Sequence, residues 1–278
     1  MIQFLLSDEN YTWLAPYGYA IVFLGLLIFL FRIFESGYAS IFNKPLFRHY
    51  FVYRKVSDEQ LKILETQIDF YRSLSKKHKR QFQHRVATFI ADKKFVGRED
   101  LTITETMKIL IAATGCMLSF GRKNYEYGLI EHILIYPGKF YSKINDAYHK
   151  GEFNPKIRAL VMSWEDFEKG FRIADDNRNL GIHEFMHAMQ LEAKQSKDLD
   201  SSRLTKYFRK ILQRLSVPEV KEKLNKTNYF RKYGFSNQYE FLAVIAEYFF
   251  ESPKEFKSEF PKIYGHTQKL LNFKYSGY

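Results

Sequence analysis

Asn179-Leu180-Gly181-Ile182-His183-Glu184-Phe185-Met186-His187 is the stretch from which the rest of the chain is read. Residues four apart on an α-helix lie about 40° apart in angle and one turn apart in height. His183 and His187 on one helix can therefore offer two imidazole nitrogens to one cation. Glu184, next along, can reach a water held by that cation. Ile182, Phe185, Met186 and Met189 recur at i, i+3, i+4 and i+7, an apolar stripe that buries the helix in a core.

His-Glu-x-x-His is the zinc-metallopeptidase spacing. The same residues could equally form an ordinary amphipathic helix bearing two histidines and a glutamate. A catalytic zinc takes three protein ligands and leaves its fourth position to water, so a third ligand decides between the two readings. The informative run is Tyr233-Gly234-Phe235-Ser236-Asn237-Gln238-Tyr239-Glu240 through Glu247. Gly234 breaks the chain, Ser236 or Asn237 can cap, and a helix is expected to about Phe250. Glu240 falls in its first turn and Glu247 seven residues on, nearly on the same face. Asn237-x-x-Glu240 also has the form of a capping box, which would satisfy Glu240 without a metal. Glu247 could equally be an ion-pairing surface carboxylate.

Upstream, Ser57-Asp58-Glu59-Gln60 has capping-box form and opens a helix to about Phe70. Ser75 caps a helix through Ile90, and Thr104 precedes a buried helix from Glu105 to Phe120 ended by Gly121. Leu129 to Tyr136, stopped by Pro137-Gly138, reads as a strand, with His132 a half-exposed strand residue. Arg158 to Ser163 reads as a second strand, and Ser163 caps a short helix from Trp164 to Gly170. Asp175 to Asn179 is a polar turn into the histidine helix. Helices Asp200 to Leu215 and Pro253 to Leu271 are expected to wrap the site.

Tyr11 to Phe31 is uncharged over 21 residues, YTWLAPYGYAIVFLGLLIFLF, long enough to cross a bilayer core. Trp13, Tyr17 and Tyr19 sit at one end as interfacial aromatics. The preceding residues carry Asp8 and Glu9 and no Lys or Arg, unlike a cleaved signal peptide. Arg32, Lys44, Arg48, Arg54 and Lys55 follow the span, so the positive-inside rule places the C-terminal bulk in the cytoplasm, on the inner membrane. The expected division is a tail and anchor over 1–34, a linker over 35–56 interrupted by Gly37 and Pro45, and a catalytic domain over 57–278.

Net charge is +12. Residues 44–98 hold 14 Lys/Arg against 5 Asp/Glu, so most of the excess adjoins the span. Such a cluster can lie on anionic head groups or, as at Lys76-Lys77-His78-Lys79-Arg80, form a solvated helix face. No nucleic-acid motif accompanies it, and nucleic acid is not an expected partner. Cys116 is the single cysteine, which excludes an intrachain disulfide and any CxxC zinc pattern.

From about Leu74 to Ile263 the chain resembles the bacterial Mlc titration factor A family of zinc peptidases, relatives of the anthrax lethal factor peptidase domain. The resemblance rests on Phe89-Ile90-Ala91-Asp92-Lys93, Ile109 to Ala113, Tyr136-Pro137-Gly138, Ser163-Trp164, Arg178-Asn179, the His-Glu-Phe-Met-His core, Glu240 to Val244 and Glu247 to Phe250. It implies an α+β, mostly helical zincin-like (gluzincin) domain with a small sheet. It also implies Zn²⁺ held by His183, His187 and Glu240, with Glu184 as catalytic carboxylate. Tyr233, seven residues before Glu240, matches a tyrosine these families place near the metal. Asn179 and Glu247 would orient ligands from behind. The Leu160-Val161-Met162 strand would pair with an extended peptide substrate. The family usually has Leu-Asp where this chain has Met189-Gln190, and often Ser at Ala246. Family relatives also bind a transcriptional repressor, so a regulatory protein that sequesters a partner, with zinc structural or vestigial, is the alternative function.

Overall fold

The computed structural model describes residues 12–42, 52–142, 146–173 and 175–273, in two units, Met1–His49 and Tyr50–Tyr278. In the first unit a single 3-10 turn, Thr12–Leu14, leads into helix α1 (Ala15–Phe42). Its segment Ala15–Tyr38 is long and apolar enough to cross a membrane, and its apolar side chains are exposed. The helix passes through Gly37 and does not end at 34. One glycine costs a helix about 1 kcal/mol, too little to stop it without a cap. Tyr11, Pro45 and the rest of 43–51 lie outside the described residues.

The second unit opens with α2 (Asp58–Gln67), α3 (Asp69–Ser73) and α4 (Lys76–Asp92). Ser57 and Gln60 close the expected capping box, and Ser75 caps α4 through the His78 amide. The one helix expected to Phe70 is two, because Ile68 takes an extended conformation and turns its side chain into the core. Strand β1 (Lys94–Gly97) follows, then α5 (Glu105–Leu118), capped by Thr104. No charge follows Lys108 in α5, and every residue from Ile109 to Leu118 except Met117 is buried. A helix apolar on all sides belongs at the centre of a core.

Next come β2 (His132–Tyr136), β3 (Phe140–Ser142), β4 (Ala147–His149), β5 (Gly151–Asn154) and β6 (Ala159–Ser163). The larger sheet has the order β1-β2-β6-β5. β1, β2 and β6 run parallel, while β5 is antiparallel to β6, with Gly151 opposite Met162 and Asn154 opposite Ala159. β3 and β4 form a separate hairpin. The Leu160-Val161-Met162 strand is therefore not an edge. β2 and β5 flank it, all five of its residues are buried, and the edge beside the histidine helix is β5.

The remaining helices are α6 (Trp164–Arg172), α7 (Leu180–Gln195), α8 (Leu199–Leu215), α9 (Pro218–Thr227), α10 (Gln238–Glu251), α11 (Pro253–Glu259) and α12 (Pro261–Leu270). The single helix expected over 253–271 is broken at Phe260, since proline at 261 removes a donor and disfavours helical geometry in the residue before it. α7 carries the histidines and packs against α5, α6, α8, α10 and β5. Its Phe185 ring lies 3.0 Å from where a Cβ on Gly115 would stand, so glycine there lets α5 and α7 close together. α10 is buried from Phe241 to Phe249. The result is an α+β, mostly helical unit with small sheets, compatible with a zincin-like domain.

Candidate metal centre

Asn179 starts α7. Its side chain accepts from the Ile182 amide at 3.0 Å and donates to the Gly170 carbonyl at 3.3 Å. One turn on, His183 and His187 face each other, with their Nε2 atoms 3.1 Å apart. Glu240 completes the group: Oε2 is 3.0 Å from His183 Nε2 and Oε1 is 3.3 Å from His187 Nε2.

Both fates foreseen for Glu240 meet in α10. Asn237 caps the helix by accepting from the Tyr239 and Glu240 amides at 2.9 and 3.0 Å. The Glu240 carboxylate does not close the box but turns to the histidines.

Ligand atoms about 2.0–2.1 Å from a tetrahedral zinc stand roughly 3.3 Å from one another. The two Nε2 atoms stand 3.1 Å apart, and the two Glu240 oxygens lie 3.0 and 3.3 Å from one imidazole each, so one donor from every residue falls within 4.8 Å of the others, compatible with that requirement. Charge agrees: Glu184, Glu240 and Glu247 converge here, with Arg231 the guanidinium paired among them. With both imidazoles neutral, as ligands must be, three ionised carboxylates against one guanidinium leave two negative charges for a divalent cation to neutralise.

Glu247 is fully buried and is no surface ion pair. Its Oε1 lies 2.8 Å from His183 Nδ1 and 2.5 Å from Arg231 Nη2, and its Oε2 accepts from the Asn179 amide at 2.8 Å. Asn179 thus meets Glu247 through its backbone, while its side chain serves as the cap. Two carboxylates one heptad apart on α10 hold the two nitrogens of one imidazole. Arg231 escaped the sequence reading, and its signal was faint: a cation two residues before Tyr233, at the entry to the 3-10 turn Lys232–Ser236.

Burial opposes charge on His183, but Glu240 and Glu247 more than offset it, lifting this imidazole to about 10. Burial likewise opposes charge on Glu240, and its bonds to the two histidines hold it well below the usual carboxylate range. Burial pushes Glu184 up, with His183 and His187 pulling the other way. Glu184 lies against β5, where a Cβ at Gly151 would fall 2.6 Å from its Oε1.

Tyr233 stands at the rim, 59% exposed, its ring centroid 6.1 Å from that of His183. Burial of its hydroxyl and the nearby Glu240 carboxylate push it up to about 12, so it is a donor at neutral pH. Gln190 is buried, and its Nε2 donates to the Tyr239 carbonyl at 3.1 Å. It braces the residue just before Glu240, a task its amide performs without the charge of the aspartate usual in the resembled family. Ala246 is buried in α10. An open cleft of about 840 Å³ lies over His183, Glu184 and Tyr233.

Two comparisons bear on this geometry. An uncharacterised protein of the cyanobacterium Synechocystis sp. is 25% identical over 225 residues, covering 74% of this chain and 81% of its own length. A family model described as glucose-regulated metallo-peptidase M90 matches residues 47–271. That family is metal-dependent and acts on peptide or protein substrates, and the His183, His187 and Glu240 donors form a group that can hold a metal ion. The chain belongs to the glucose-regulated metallo-peptidase M90 family.

Proposed function

We propose that the chain is a membrane-anchored, zinc-dependent peptidase. His183, His187 and Glu240 are its metal ligands, Glu184 its general base and Tyr233 its oxyanion donor. The observation that carries this reading is the convergence of His183, His187 and Glu240 from α7 and α10, with one donor atom of each within 4.8 Å of the others. Zinc suits two imidazoles and a carboxylate, and when bound it would lower the pKa of its water to about 7 and polarise the scissile carbonyl.

The protein's own residues do the rest. A Glu184 Oε accepts the proton of the attacking water and returns it to the leaving amine. Burial raises this carboxyl above its ordinary value, the direction that suits a base that must also act as an acid. The Tyr233 hydroxyl donates to the carbonyl oxygen as charge develops there, a bond strongest in the transition state. Glu247, held by Arg231 and the Asn179 amide, fixes the His183 ring and keeps Nε2 turned to the cation. β5 offers an edge that pairs with no other strand among the described residues, beside Glu184, so an extended peptide substrate joins the sheet by strand addition.

Ala15–Tyr38 serves as the anchor, ahead of a catalytic unit. The positive excess after the span supports a cytoplasmic active site on an inner membrane. The test is metal analysis of the detergent-purified chain, paired with peptide hydrolysis before and after chelation. One zinc per chain, with activity lost to chelator and restored by zinc, supports the proposal. Undiminished hydrolysis in the metal-free chain refutes it.

A further inference from the structure

The cleft over His183 and Glu184 carries more positive charge than the chemistry uses. Its lining cations are Lys139, Lys150, Lys169, Arg178, Arg231 and Lys232. Two are committed: Lys150 pairs with Asp166 at 2.5 Å and Arg231 with Glu247. The side chains of Lys139, Lys169, Arg178 and Lys232 are exposed and make no ion pair among the described residues. Against them stands Asp176, whose Oδ1 accepts from the Arg178 amide at 3.0 Å. The other lining acids, Asp166, Glu184 and Glu247, belong to the pairs and the site already described.

The placement of these cations is built into the fold. Lys169 lies in the last turn of α6 and Arg178 just ahead of α7. Gly170 brings them together, since a Cβ there would stand 2.5 Å from the Arg178 carbonyl oxygen. The amide-bearing end of α7 opens at the same place and favours negative charge. Lys232 comes from the segment that also carries Tyr233, and Lys139 follows β2.

We infer that this rim is a carboxylate-binding subsite, and that the peptidase selects peptides bearing an anionic carboxylate near the scissile bond. The inference rests on the peptidase reading above and deepens it by naming a substrate class. An acidic side chain or a free C-terminal carboxylate would supply the same chemistry. Each exposed ion pair is weak alone. Several like charges in one cleft with low-dielectric walls focus their field, and the gain falls with ionic strength. A preference of roughly ten-fold or more in kcat/KM at low salt follows.

The test uses the zinc-loaded full chain in detergent and four fluorogenic peptides of equal length. One has acidic flanks and an amidated C-terminus, one neutral flanks and a free C-terminal carboxylate, one is neutral and amidated, and one has lysine flanks. The inference expects either carboxylate-bearing peptide, and whichever source the subsite takes, to lead the neutral one, with the lysine peptide last. The difference should lie chiefly in KM and shrink in high salt. Lys169→Glu combined with Lys232→Glu should invert the ranking, and Lys221→Glu, on α9 outside the cleft, should leave it as it was. Equal kcat/KM for all four peptides at low salt, or a ranking untouched by the double reversal, overturns it. Fluorescence anisotropy of the same peptides on Glu184→Gln separates the two levels. Ranked binding with no hydrolysis by the unaltered chain overturns the peptidase reading and keeps the subsite. Unranked binding overturns the subsite alone.

Discussion

The buried Glu247 carboxylate lies 2.8 Å from His183 Nδ1, across the ring from the nitrogen that faces His187 and Glu240. A charged acceptor there fixes the tautomer with Nε2 free and strengthens that nitrogen as a ligand. Glu247→Gln keeps the shape and removes the charge. Zinc affinity, measured by competition with a chromophoric chelator, is expected to fall about 10–100-fold.

Arg231→Ala removes the other partner of the same carboxylate, whose Oε1 the guanidinium reaches at 2.5 Å. A buried charge left short of a charged hydrogen bond costs roughly 2 kcal/mol. Urea unfolding of the metal-free variant should show that loss. Glu247→Gln leaves the Arg231 guanidinium without its carboxylate, but that cation is partly exposed where Glu247 is buried, so this loss should be smaller.

Glu184→Gln is expected to retain zinc and lose turnover by about 10²–10⁴-fold, the usual weight of a general base. Tyr233→Phe should lower kcat by roughly 10²-fold with zinc retained if its hydroxyl acts on developing charge as proposed. Single-turnover hydrolysis with parallel metal analysis checks both. Full turnover in Glu184→Gln would contradict the assigned base.

Gly151→Ala is a sharper probe of the β5 edge. Its new Cβ would stand 2.6 Å from Glu184 Oε1 and from Leu180 Cδ1. Either Glu184 swings away or β5 retreats, and both would displace the proposed base. We expect kcat/KM to fall at least about 10²-fold, as misplacement by an ångström does, with zinc content unchanged.

These probes follow the line between what the sequence disclosed and what it hid. Caps at Ser57, Ser75, Thr104, Ser163 and Asn237 were legible because each is a bond across three residues or fewer. The histidine pair was legible because helical spacing is local. Glu240 stayed ambiguous, since its cap and its contact with α7 compete for one carboxylate and only packing decides. The edge strand was misplaced for a similar reason. A buried apolar run and a sheet edge look alike until strand order is known, and the short Gly151–Asn154 strand has little apolar pattern. Arg231 was invisible, because its meaning depends on a carboxylate sixteen residues on being buried. Pro261, by contrast, was a plain break signal that the expected helix ran over.

Stability should carry the signature of a further buried acid. Glu251 ends α10, where Oε2 accepts from the Arg178 amide at 3.1 Å and the buried Oε1 has no hydrogen bond of normal geometry among the described residues. Burial pushes this carboxyl up to about 7 from 4.5, with Glu247 and Asp176 adding to the rise and Asn179 opposing it. The folded chain thus binds this proton more tightly than the unfolded chain. Its contribution is fully present below about 4.5 and is lost as pH rises through about 7. Glu251→Gln keeps an acceptor for the Arg178 amide and abolishes the titration. Urea unfolding from pH 4.5 to 8 should find variant and unaltered chain close at the acid end. They should diverge from about pH 5, the gap growing to about pH 7 and then levelling, with the variant more stable at pH 8 by on the order of 1–3 kcal/mol. Parallel curves across that range would mean Glu251 is already ionised in the folded protein, with water or a cation reaching Oε1.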